Sequence, residues 1–399
     1  MLSQSFLSFA ILCSVLALVQ ALAALPWLLA IEPKLRFRLY KIPFLLSALG
    51  ACVAAGVVLG MVLDTYSDRE VLSAVGRVYG SILQMQFVAD CFVVIFFVGL
   101  LAWPKGSAVA LAAFREGLRH PMFWLLTLVF LGLCLVSPFI PYFTFGEDLK
   151  MVKELCYAFT MLAAAWFAVV GGAMWVHEEI EGRTAITVMS KPVSRREFLL
   201  GKFFGILLVS IVMVAIISWT MPWLFLYKFA EESRLLNPDQ IPPDPAWVLS
   251  WSRTLAPVEG EPLLRGLGLW IADFGDILPG LIISSCQVMV LLAISVALAT
   301  RVPMVVNLTV CLLFYFLGHL TPIMTDVARN PLVLFVANVF DTVFPGLDLF
   351  DVGTAIVREV PLPAGQYAWY TLNVTLYAVV YTTIALLFGL ILFEDRDLA

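Results

Sequence analysis

The residues of this chain best suited to chemistry stand in patterns that miss their reactions at identifiable positions. His177-Glu178-Glu179-Ile180-Glu181 comes within one residue of H-E-x-x-H, in which two histidines a helical turn apart hold zinc while the glutamate activates water. Glu181 occupies the second histidine's place, which removes a ligand and excludes a metalloprotease of that kind. Gly201-Lys202 ends like a phosphate-binding loop. The full pattern G-x-x-x-x-G-K-[ST] would need glycine at Arg196 and a hydroxyl at Phe203, so the chain does not hydrolyse ATP by that mechanism. Only His120, His177 and His319 are histidines, and with no G-x-S-x-G a serine or cysteine nucleophile has no identifiable base. Seven cysteines, Cys13, Cys52, Cys91, Cys134, Cys156, Cys286 and Cys311, fall in apolar stretches without a C-x-x-C pair and read as small core hydrophobes. The expectation is no catalytic residue, no metal site and no cofactor held by this chain.

The elements that must position these groups are set by composition. Of 399 residues, 62% are hydrophobic and 13% charged, against roughly 25% charged in a typical soluble domain. A soluble fold is excluded. With a net charge of −5 and no basic stripe interleaved with aromatics, nucleic-acid binding is excluded as a main task. An all-α polytopic membrane protein follows. About nine stretches approach the roughly 20 apolar residues that a bilayer core requires: 6–31, 42–63, 87–103, 122–143, 155–176, 198–227, 277–300, 302–321 and 370–393. The third is the shortest and carries Asp90. No basic residue precedes the first, so it reads as a retained span rather than a signal peptide.

Positive-inside counting orients the chain. Fourteen of the 24 basic residues fall on the short loops of one side, among them Lys34, Lys105, Arg115, Arg119, Arg183, Lys191, Arg195, Arg196, Lys202 and Arg301. That side is cytoplasmic, with the N-terminus outside and the C-terminus inside. Two long outer segments differ in kind. Residues 228–276 are interrupted by Pro238, Pro242, Pro243, Pro245, Pro257 and Pro262 and read as an extended surface lobe. In 322–369, the apolar stretch 331–350 is broken by Asp341, Pro345, Gly346 and Asp348, which fits a re-entrant helix and equally a loop on the outer face.

Two polar stretches on the inner side carry the information. At 100° per residue, Leu111, Phe114 and Leu118 share one face of a short helix over 107–120, with Arg115, Glu116, Arg119 and His120 on the other, as expected of an interfacial helix that Pro121 ends at an elbow. The second stretch, 177–205, parses into a helix ended by Gly182, a short helix capped by Thr184 and ended by Pro192, and a new span opened by the S-x-x-E capping box of Ser194 and Glu197. Glu178, Glu179 and Glu181 stand at a helix C-terminus and Arg195 and Arg196 in a first turn, each set against its own helix dipole. Pairing of these clusters with one another, or with Arg115 and Arg119, would relieve both.

These stretches, ALAAFREGLRHPMFWLL, FGEDLKMVKEL and EEIEGRTAITVMSKPVSRREFLLGKFFG, resemble the permease subunits of ABC-2 type ABC transporters. The resemblance covers about 107 to the C-terminus and is specific around 178–202. It implies a six-helix core (122–399) preceded by the elbow helix (105–121), with 1–104 as a three-span extension lacking a counterpart. It implies that the cytoplasmic loop 177–202 couples to an ATPase through Glu178, Glu179, Glu181, Gly182, Arg183, Thr184, Pro192, Val193, Ser194, Arg195, Arg196, Gly201 and Lys202, with the elbow residues Arg115, Glu116 and Arg119 beside it. A separate ABC ATPase would hold the ATP and magnesium, and a second permease copy, identical or paired, would complete a half-transporter in the cytoplasmic (inner) membrane, exporting substrate through an apolar, aromatic cavity. The polar contents of the spans are sparse, Gln20, Gln287, Asn307 and His319 with no pair of ionisable groups, and a proton- or sodium-coupled secondary transporter or a channel, which would not need the charged cytoplasmic loop, is disfavoured. It stays open as an alternative, as does a non-transporting membrane scaffold.

Overall fold

A computed structural model describes residues 4–35, 37, 41–65, 68–142, 148–182, 193–234, 243–256, 258–327, 335, 345–350 and 364–394. Among them the regular structure is helical. The helices are α1 (Gln4–Ile31), α2 (Ile42–Asp64), α3 (Arg69–Ala102), α4 (Pro104–Arg119), α5 (Pro121–Val136), α6 (Asp148–Glu181), α7 (Arg195–Ser233), α8 (Ala246–Leu255), α9 (Glu261–Ala299), α10 (Met304–Val327) and α11 (Ala364–Glu394). Eight are long and apolar enough to cross a membrane, and Met304–Leu320 is a shorter apolar helix. The chain is an all-α, multi-pass membrane protein. Backbone hydrogen bonds closed within each segment are what lets such helices stand in hydrocarbon.

Two compact units divide the chain: 1–98 with 236–276, and 99–235 with 277–399. In the first, Phe9, Cys13 and Leu16 of α1 pack with Leu63 of α2, Leu72 of α3 and Leu263, Leu264 and Leu267 of α9. Polar groups pin the same helices. The Tyr79 hydroxyl donates to the Leu16 carbonyl at 2.8 Å, Trp270 Nε1 donates to Gln84 at 2.9 Å, and Arg77 is paired with Asp273. Small residues permit close backbone approach, as at helix crossings in lipid. A Cβ at Gly76 would lie 2.0 Å from the Leu263 carbonyl oxygen, and one at Gly266 2.0 Å from that of Ser73.

Two expectations change here. The third helix begins at Arg69, well before residue 87, because its polar side chains Arg77 and Gln84 are satisfied by a partner helix nearly two hundred residues away in sequence. The lobe read as extended contains α8 and the first part of α9, with Pro245 as the N-cap of α8 and Pro262 in the first turn of α9. Proline is tolerated there because first-turn N–H groups have no helical acceptor. The stretch 331–350, expected as a re-entrant helix or a loop on the outer face, lies largely outside the described residues; its end, Leu347–Phe350, is a 3₁₀ turn with Leu347 and Phe350 buried.

In the second unit α6, α7 and the later part of α9 form the core, with Phe167, Phe198, Phe203, Ile206 and Met213 almost wholly buried. Ser137–Phe139 continues α5 as a 3₁₀ turn. The Ser295 hydroxyl of α9 donates to the Val169 carbonyl of α6 at 2.8 Å, and Asn307 of α10 donates to the Ser295 carbonyl at 2.9 Å.

Candidate functional site

The elbow forms as expected. Pro104 starts α4, His120 turns the chain with φ −69° and ψ 131°, and its imidazole accepts from the Met122 N–H at 3.3 Å to cap α5 at Pro121. The side of α4 buried in the protein is one that the apolar face does not name. It is the small-residue stripe Gly106, Ser107, Ala110, Ala113 and Gly117, while Leu111, Phe114 and Leu118 are half-buried. The reason is the opposing surface of α7. A Cβ at Gly201 would stand 2.7 Å from Val109 Cβ, and one at Gly205 would stand 2.6 Å from the Ala110 carbonyl oxygen. Gly201 is thus a packing position for the elbow.

Next to it, Lys202 is buried within the bundle with a side-chain exposure of 6%. Its ammonium lies 2.5 Å from Glu179 Oε1 and 3.2 Å from Glu116 Oε2, so one cation joins the ends of α4 and α6 to the start of α7. A buried ammonium requires compensation of this kind, because removing either charge from water alone is expensive. Glu181 pairs with His177 Nε2 at 3.2 Å one turn back. Glu178 is exposed, and α6 ends at Glu181, with the Gly182 N–H donating to the Glu178 carbonyl at 2.8 Å.

The start of α7 carries the expected capping box. The Ser194 hydroxyl accepts from the Glu197 N–H at 3.2 Å, and the Glu197 carboxylate accepts from the Ser194 N–H at 2.7 Å. Arg195 departs from expectation. Rather than meeting the glutamates of α6 or the arginines of the elbow, it donates to the Phe393 and Glu394 carbonyls at 2.7 and 2.9 Å and stacks on the Phe393 ring at 5.5 Å. Arg301 Nε donates to the adjacent Leu392 carbonyl at 2.8 Å. Both arginines therefore satisfy terminal carbonyls of α11, whose negative dipole end favours cations. Arg301 was not among the expected site residues; its position directly after α9 was the available signal. Arg115, Arg119 and Arg196 are exposed, and Val193 is half-buried. Arg183, Thr184 and Pro192, with the short helix expected between them, lie outside the described residues.

Away from these helix ends, Trp166, Val169 and Val170 of α6, Leu291 of α9 and Leu308, Tyr315 and Phe316 of α10 line an apolar groove of about 350 Å³. Trp166 is 52% and Phe316 60% exposed, so the groove opens sideways.

The architecture defines a class: a multi-pass helical membrane protein in which a short helix that turns at His120 and the ends of several long apolar helices are tied together by buried and capping cations. Residues 107–398 match the family model described as ABC-2 family transporter protein, and the chain belongs to that family as the membrane permease of an ABC-2 type transporter. No curated protein matches the chain.

Proposed function

We propose that this permease exports a substrate across the cytoplasmic membrane as one half of a paired transporter, driven by a separate ABC ATPase that docks on the charged end formed by α4, α6, α7 and α11. The N-terminus then lies outside and the C-terminus inside. The observation that carries the reading is the Lys202 junction: a load applied to the exposed residues Glu178, Arg196, Arg115 and Arg119 reaches three helices through one buried cation. ATP and magnesium belong to the partner in this reading, because Arg196 and Phe203 replace residues a phosphate loop needs. The groove along α6 and α10 is the wall that meets cargo, facing the second permease copy.

The test is gentle purification from the native membrane, with mass spectrometry for a stoichiometric companion bearing a nucleotide-binding motif and a measurement of ATPase activity. Arg196→Glu should release the companion while the permease stays folded. Isolation of the chain alone, with ion-gradient-driven flux in vesicles, would replace this reading by a secondary transporter.

A further inference from the structure

Helices α1 and α2 form an antiparallel hairpin. A Cβ at Gly56 would lie 2.3 Å from Ser14 Cα and one at Gly60 3.3 Å from Ala10 Cα, which puts Leu28, near the end of α1, level with Ile42 at the start of α2. Both helices are long and apolar enough to span a bilayer, so the ten residues 32–41 that join them stay at the membrane surface, among the phospholipid headgroups. That loop reads Glu-Pro-Lys-Leu-Arg-Phe-Arg-Leu-Tyr-Lys: four cations against one carboxylate, a local charge of +3 in a chain whose net charge is −5.

The protein does not neutralise this charge at the residues described. Lys34 and Lys41 are exposed, and no ion pair among the described residues uses either. Arg36 and Arg38 add charge to the same loop and lie outside the described residues. Lys41 is also the N-cap of α2, with no side-chain cap and no acidic residue in the first turn, so a cation stands at the positive end of a helix dipole. An anion at that end relieves both charges.

Apolar groups alternate with the cations. Leu35 is half-buried, whereas the Phe37 ring is 75% exposed; its N–H donates to the Lys34 carbonyl at 3.2 Å, in a turn that keeps the two residues together. An uncovered ring among unpaired ammoniums suits the boundary between headgroups and acyl chains, where the ring packs in lipid and the cations reach phosphate. A water-soluble anion would leave the ring uncovered, and an acidic protein surface would have to bring its carboxylates into the headgroup layer.

We propose that Lys34, Phe37 and Lys41 form a binding site for an anionic phospholipid, the two ammoniums holding its phosphate and the ring packing on the upper part of an acyl chain. The inference is separate from the transport reading: it concerns the first unit alone, and a symmetric bilayer tests it whichever side the loop faces.

The probe is phosphatidylglycerol with a photoreactive diazirine in one acyl chain, held at low mole fraction in phosphatidylcholine nanodiscs containing the full-length permease and displaced by unlabelled phosphatidylglycerol. Labelling should map to the peptide containing Phe37, whereas a phosphatidylcholine probe with the same chains should label that peptide no more than the lipid-exposed helix α5. Lys34→Gln should raise the mole fraction needed for half-maximal labelling about fivefold, and Lys34→Gln with Lys41→Gln about 25-fold. Lys34→Arg should keep the unaltered value, and Phe37→Ser should weaken labelling at constant charge. Unchanged background labelling of α5 shows that each variant is folded. Equal labelling of the loop by the two probes, or unchanged labelling in the double lysine variant, would overturn the inference. Displacement by sn-glycerol 3-phosphate, which has the phosphate and no chains, would replace the lipid by a free phosphate. Loss of a companion protein from the double lysine variant with lipid labelling unchanged would assign the loop to a protein partner instead.

Discussion

Replacing Lys202 with methionine keeps most of the side-chain volume and removes the charge that joins α4, α6 and α7. The cost follows from the surroundings. Breaking a fully buried ion pair by deleting one partner costs about 3–5 kcal/mol, much of it from the charge left behind. Here the survivors are not fully buried, with side-chain exposures of 26% for Glu179 and 52% for Glu116. Glu116 reaches water and contributes at the level of a surface pair, about 0–1 kcal/mol. Glu179 bears most of the loss, which solvent access brings to about 2 kcal/mol.

Thermal unfolding with a thiol-reactive dye suits this protein, because Cys134, Cys156, Cys286 and Cys311 are buried in the same unit and become reactive on unfolding. At about 2–4 °C per kcal/mol for a body of this size, Lys202→Met should lower the midpoint by about 4–8 °C and Glu116→Gln by at most about 2–4 °C. Glu179→Gln in the Lys202→Met background should recover most of the loss, since no charge is then stranded. An unchanged midpoint in Lys202→Met, or additive losses in the double variant, would refute the idea that one buried cation ties the three helix ends.

Three further outcomes are expected. Gly205→Leu forces bulk into a 2.6 Å approach between α7 and the Ala110 carbonyl, so the elbow should detach and become cleavable by protease in folded protein. Arg195→Ala combined with Arg301→Ala exposes the last carbonyls of α11 and should speed hydrogen exchange over its final turn, with little change in α6. Ser194→Ala removes the cap of α7 and should destabilise by about 1 kcal/mol, with Ser194→Asp retaining stability, read by the same thermal assay.

What was legible in the sequence was local. The Ser194–Glu197 box, the Pro121 elbow and the end of α6 at Glu181 are written in residues within four positions of one another, and the apolar runs announce the spans by composition alone. What stayed hidden depends on partners far away in the chain. Lys202 meets Glu116 across 86 positions, Arg195 meets Phe393 across 198, and Arg77 finds Asp273 across 196. The same distance hid the helical lobe, where prolines dominate the pattern although the positions they take in α8 and α9 are ones that helices accept. In α4 the apolar face is legible from periodicity, but the packed stripe is not, because a neighbouring helix with glycines rewards small residues and close approach.

The second unit contains a matching junction at the opposite end of the same helix pair, and it bears on how a push would travel. Lys228 of α7 is buried and lies 3.3 Å from Asp148, the first residue of α6, and 3.0 Å from Glu231, while Glu232 accepts from the Leu149 N–H at 2.8 Å. Helices of 34 and 39 residues, about 51 and 58 Å long at 1.5 Å per residue, are thus held together near both ends by buried lysines. Under the proposed coupling, force beside Lys202 can splay the pair at that end only by breaking the Lys202–Glu179 contact, and the Lys228–Asp148 contact holds the far end, so α6 and α7 move as one body. Lys228→Met should therefore leave companion binding intact, since it lies far from the docking end, and lower transport per ATP hydrolysed. Loss of binding and transport together would mean that the two junctions hold only the fold, whereas retained binding with normal transport would mean that α6 alone carries the movement.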